Sequence, residues 1–181
     1  MRSILPALLL CLAAQLAPAA TLERLTLEQM TRQSTEIVRA RAGAISAVAI
    51  SSMIYTRTQF QVLDRWKGPN NPEVSVMEPG GTVGRTTQTY SGVPHFTPGQ
   101  ELVLFLWTGP SGRTQVIGLT QGLFEVVPGT SGAEPFVNRK PSGETMLAPG
   151  TKAPAPEEEV SMPLSKLVFE IQAALGTSRQ P

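Results

Sequence analysis

From Ile54 to Lys67 the chain alternates. Ile54, Thr56, Thr58, Phe60 and Val62 share one side; Tyr55, Arg57, Gln59 and Gln61 share the other, and a Lys67-Gly68-Pro69 turn follows. Side chains of an extended backbone point to opposite faces in turn, so this stretch reads as a long, half-buried strand. A chain built around it is expected to form a small antiparallel barrel, which disposes of exposed sheet edges.

The flanking segments supply further strands. Glu36 to Ile50 carries Val38, Ala40 and Ala42 on one parity and Arg39 and Arg41 on the other, with Gly43 marking a bulge. The short link to the next strand predicts a hairpin, although no Asn-Gly turn is present. Glu73 to Met77 reads as a short strand with Val74 and Val76 inward. Residues 79–98, rich in Gly and Pro, predict an ordered excursion from the sheet. The almost unbroken apolar run Leu102 to Trp107 predicts a central strand covered on both faces. Arg113 to Leu119 and Leu123 to Val127 complete the sheet, joined at Thr120-Gln121-Gly122.

Helices frame the strands. Thr21 to Ser34 reads as a short helix with Thr26 and Gln29 at capping-box spacing and an apolar stripe of Leu22, Leu27 and Met30, expected to lie over one barrel end. Residues 128–159, poor in large apolar side chains and rich in Pro, Gly, Ser and Thr, read as a linker. Its Glu157-Glu158-Glu159 run suits the front of the amphipathic helix expected over 160–176. There Ser161 is the cap, Pro163 lies in the first turn, Gly176 is the stop, and Leu164, Leu167, Val168, Ile171 and Leu175 share one face, expected to pack on the barrel or else to be offered to a partner.

Residues 1–20 read as a secretory leader: Arg2, then an apolar run from Ile4 to Leu16, then Ala17-Pro18-Ala19-Ala20 as a cleavage site. The expected product is secreted or periplasmic, with the barrel domain at 21–127 and no membrane span. The single cysteine, Cys11, lies inside the leader and follows Leu10, a poor setting for lipidation. The remaining chain of about 160 residues has no thiol, hence no disulfide, and depends on its core. The 15 basic and 14 acidic residues nearly balance, which argues against nucleic acid as a partner.

The segments Ser34 to Ala42, Ile54-Tyr55-Thr56, Val62 to Gly68 and Phe96 to Leu106 follow the order found in netrin-like modules. The chain resembles these OB-type barrels, known from tissue metalloproteinase inhibitors and netrin C-termini. It also looks similar to uncharacterised exported bacterial proteins that share Gly80-Gly81 and Gly118 to Gly122. The resemblance spans Glu36 to Val127 and implies the scaffold. The inhibitors chelate a protease zinc through an N-terminal cysteine, and a chain starting after the leader lacks one, so that chemistry does not carry over.

Catalytic signals are thin. His95 is the only histidine and Asp64 the only aspartate, too few for an ordinary zinc site, and no Gly-x-Ser-x-Gly elbow accompanies them. Glu78 and Glu101 flank the excursion as a conceivable carboxylate pair, more simply read as solvated strand-end charges. Gly80-Gly81-Thr82-Val83-Gly84-Arg85 lacks the Lys-Ser/Thr ending of a phosphate loop. Asp64 is expected to pair with an arginine or cap the turn. Arg39, Arg41 and Arg57 are placed with Tyr55 on a solvated outer face. No catalytic residue, metal or cofactor is expected. The expected function is a non-catalytic binding module for a protein or carbohydrate, with Tyr55, Arg57, Gly80, Gly81, Arg85, Tyr90, His95 and Phe96 as its ligand surface. The alternatives are an inhibitor or companion of a secreted protease, and a hydrolase using His95.

Overall fold

The computed structural model describes residues 21–177 except 142–143, 152 and 157–158. The expected leader, and Glu157 and Glu158 of the acidic run, lie outside the described residues. In chain order the elements are β1 (Thr21–Glu23), α1 (Leu27–Gln33), β2 (Glu36–Ile50), β3 (Met53–Lys67), β4 (Glu73–Pro79), β5 (Gly81–Val83) and β6 (Thr86–Gln88). There follow β7 (Glu101–Thr108), β8 (Thr114–Val116), β9 (Leu123–Val127), β10 (Phe136–Arg139), β11 (Thr145–Leu147), β12 (Pro154–Ala155), β13 (Val160–Pro163) and α2 (Leu164–Thr177). The fold is mainly β, with an antiparallel main sheet, a short helix near the N-terminus and a C-terminal helix, as the patterning predicts.

The main sheet runs β13-β10-β9-β7-β2-β3-β4, with β8 added to β7. Its spine is the hairpin of β2 and β3, turned by Ser51 and Ser52 between the closing pair Ile50 and Met53, with Ser51 left-handed at φ 55°. The expected bulge is present: the β2–β3 register shifts between Ala42 and Ile45, around Gly43.

The expected closed barrel is corrected to an open sheet. β4 and β8 share no ladder. β8 is only three residues long, and after Ile117 the left-handed Gly118 (φ 61°) turns the chain into a 3-10 turn over Leu119–Gly122. One side chain spans the seam instead: the Glu78 carboxylate at the end of β4 accepts the Val116 N–H of β8 at 2.7 Å.

Two apolar layers flank the sheet. Val38, Ala40, Phe60, Val76, Leu102, Leu104 and Leu106 fill one side. Met30 of α1, Leu164, Leu167 and Ile171 of α2, and Ile37, Val103, Phe105, Phe124 and Val137 fill the other. β7 therefore buries both faces, which is why its sequence is unbroken in apolar residues. Both helices pack on their own sheet. Thr26 and Gln29 form the full capping box of α1. At its other end, Lys67 Nζ donates to the carbonyls of Thr31 and Arg32, matching a cation to the negative end of the helix dipole.

Three local readings change. Thr21–Glu23 is not helical but pairs in parallel with β11. The segment read as a linker, 128–159, contributes β10, which joins the main sheet between β9 and β13, and the small strands β11 and β12. α2 starts at Leu164 rather than 160, because Val160–Pro163 is taken up as β13 against β10, and it runs through Gly176 to Thr177.

Candidate functional site

Beyond the end of β4 the chain folds back over the hairpin tip and forms a cleft of about 170 Å³. Glu78, Gly80, Gly81, Tyr90, Pro94 and His95 line it, with Thr56 and the residues 87–89 among its other walls. The excursion is held by specific bonds. Gly80 N–H donates to Ile54 O at 2.8 Å and Thr56 Oγ1 donates to Gly80 O at 2.9 Å. The Gln88 carboxamide substitutes for a strand neighbour: its Oε1 accepts the Ile54 N–H at 2.7 Å and its Nε2 donates to Ser52 O at 2.8 Å. The Tyr90 hydroxyl reaches Met53 Sδ at 3.2 Å, and Ser91 Oγ donates to Glu144 Oε1 at 2.5 Å.

Gly81 is the position where glycine is required. Its φ is 126°, and a Cβ there would lie 2.7 Å from Thr56 Oγ1 and 3.3 Å from Ala47 Cβ. With a side chain at this point the β5–β6 hairpin would lose its seat on the β2–β3 tip.

Glu78 is the one cleft carboxylate among the described residues and is 3% exposed. Burial pushes its carboxyl up to about 7, against the opposing pull of the Val116 N–H. It shares parity with Val74 and Val76, and the β4 alternation turns it inward, which corrects the expectation of a solvated strand-end charge. It forms no pair with Glu101, which instead binds Arg39 at 2.5 Å and Arg41 at 3.2 Å. Asp64 pairs with Arg39 at 3.1 Å, as expected of it. These two arginines and two carboxylates balance on the outer face.

The structure divides the ligand surface expected from sequence. Gly80, Gly81, Tyr90 and His95 line one cleft. Phe96 lies outside that lining, half-buried and packed edge-on against Phe60, ring centroids 5.0 Å apart. Tyr55 and Arg57 sit on the opposite face of β3 from Thr56, and the Arg113 guanidinium lies 5.1 Å above the Tyr55 ring. Arg85 is exposed in the turn between β5 and β6, outside the cleft. The threonines and Gln88 of the cleft wall carry no motif; only the fold-back of the excursion assembles them. His95 is exposed and makes no hydrogen bond or ion pair with the described residues, so no carboxylate or serine among them orients its imidazole for general-base work. No group of histidine, cysteine and acidic side chains suited to a metal ion occurs among the described residues, nor is any described helix long and apolar enough to cross a membrane.

No family model, no curated protein and no solved structure matches the chain. The likeness to netrin-like modules rests on the segments quoted for it.

Proposed function

We propose that this chain is an exported, non-catalytic binding module whose ligand enters the cleft at the end of β4. The observation that carries this reading is the convergence of Gly80, Gly81, Tyr90 and His95, separated by up to a whole excursion in sequence, on one concavity. Recognition on a loop braced against a rigid sheet is the common arrangement. At about 170 Å³ the cleft falls below the roughly 300–1,000 Å³ of sites that enclose a drug-sized molecule. It suits one terminal unit of a larger ligand. Among the described residues its lining joins an aromatic ring, hydroxyls, an imidazole and a single acid with no arginine or lysine, which favours a neutral polyhydroxylated unit such as a sugar over an acidic peptide.

The test is a titration of isotopically labelled protein with a panel of neutral oligosaccharides, followed by amide chemical shifts. Shifts are expected at Gly80, Gly81, Thr89 and His95, and Tyr90→Ala is expected to weaken binding about tenfold or more. Unchanged spectra across the panel would count against the sugar assignment. Turnover of an ester, glycoside or peptide that disappears in His95→Ala would replace the binding reading with the hydrolase one.

A further inference from the structure

β2 is paired on both edges only along its first half. β7 accompanies it from Glu36 to Arg41, and the last backbone bonds on that side join Ala42 to Gln100 (2.8 Å) and Gly99 (2.7 Å). Beyond the Gly43 bulge β2 continues to Ile50 with β3 as its one ladder partner among the described residues. The direction of its backbone groups follows from the register. Ile54 turns its N–H and C=O away from β2, toward Gln88 and Gly80, so its partner Ala49 turns both groups away from β3. Bonded and non-bonded pairs alternate along an antiparallel ladder. Ala47 and Ile45, opposite Thr56 and Thr58, therefore also point N–H and C=O to the open edge.

This edge lacks the usual protections. Residues 42–56 contain no charge and no proline, whereas natural edge strands carry lysine, proline or a mid-strand bulge to discourage pairing. The bulge here lies before the open stretch and leaves it regular. Ile45, Ala47 and Ala49 are all exposed.

We infer that the open edge of β2 from Ile45 to Ala49 pairs with the same edge of a second copy, antiparallel about a two-fold axis at Ala47. The chemistry selects a copy of this chain. A neutral edge offers no ion pair to a charged foreign strand, and two identical neutral edges bring no like charges together. In this register Ile45 stands opposite Ala49 of the copy and Ala47 opposite itself, so each large side chain meets a small one. An isologous contact of this kind closes on itself. A single short edge buries less than the roughly 1,200 Å² of a stable complex, so the dimer is weak, in the micromolar to millimolar range.

Sedimentation of the purified protein up to about 1 mM is expected to show a reversible monomer–dimer equilibrium. Ala47→Pro removes one outward N–H from the edge and leaves the β3 ladder intact; it is expected to be monomeric with an unchanged circular dichroism spectrum. Should the proline disturb the strand, Ala49→Lys supplies the same test through charge, weakening association about tenfold or more. Ala47→Cys is expected to oxidise to a covalent dimer, since directly opposed bonded residues lie about 5.5 Å apart, within disulfide reach. Ser111→Cys, exposed in the β7–β8 turn, is the control and should stay uncrosslinked. A monomer throughout the concentration range, a dimer that survives both edge substitutions, open-ended polymers, or a foreign polypeptide bound at the edge would each overturn the inference.

Discussion

Glu78 occupies a costly position: a carboxylate 3% exposed, satisfied through one backbone N–H, at the only bridge between β4 and β8 among the described hydrogen bonds. Its pKa rises from 4.5 to about 7 because burial penalises the charge more than the Val116 bond relieves it. The folded state therefore holds this proton more tightly than the unfolded chain. The stabilisation from that proton is complete below pH 4.5 and is lost as pH rises through 7, an interval corresponding to about 3 kcal/mol. Glu78→Gln keeps an oxygen for Val116 and carries no charge. It is expected to match wild type near pH 4.5 and to exceed it by about 2–3 kcal/mol at pH 8. Thermal denaturation of both proteins across that range decides the matter: parallel profiles would mean that Glu78 is not paying a burial cost. Gly81→Ala tests the other residue-level constraint. A left-handed alanine pressed on Thr56 is expected to cost about 1–3 kcal/mol and to loosen the cleft amides in hydrogen exchange.

At the scale of elements, α2 is held by what it buries rather than by intrinsic helicity. Leu167 and Ile171 are fully buried against Phe105, Phe124 and Val137, while Phe169 on the outer side is 71% exposed. Leu167→Ala or Ile171→Ala is expected to cost about 2–5 kcal/mol, and Phe169→Ala within about 0.5 kcal/mol of nothing, by urea denaturation. Comparable losses at all three positions would mean that the helix docks another way. The same elements show where sequence reading succeeds. β2, β3 and β7 are long enough for parity to speak: Arg39 out, Val38 and Ala40 in, Leu102 to Leu106 buried throughout. The capping box names α1 from Thr26 and Gln29 alone. β10 escapes such reading because it is Phe-Val-Asn-Arg with only Val137 buried, and its extended form comes from β9 and β13 on either side. The barrel expectation fails for a similar reason. Whether β8 is long enough to meet β4 depends on a turn at Gly118, and nothing in the alternation of either strand reports it. The cleft was half legible. Gly80, Gly81, Tyr90 and His95 stand out as residue types in a long excursion, but the burial of Glu78 is a consequence of a strand more than thirty positions away.

Over the whole molecule, the decisive feature is that β2 and β7 belong to both apolar layers. Leu104 faces the layer without helices and Phe105, its neighbour, faces the helices. Neither layer can lose its packing without disturbing a strand on which the other depends, so the chain should unfold as one unit despite having two cores. Leu104→Ala and Phe105→Ala are each expected to lower the same single transition by about 2–5 kcal/mol. With the second tryptophan, the exposed Trp107 of β7, replaced by phenylalanine, two probes report on different places: fluorescence from the half-buried Trp66, which packs beside the helical layer, and far-ultraviolet circular dichroism from the sheet as a whole. Coincident curves in the Trp107→Phe protein and in both variants built on it are the expected result. A variant in which the fluorescence change separates from the loss of sheet would show that the helical layer melts alone. The shared strands would then be two stacked structures rather than one.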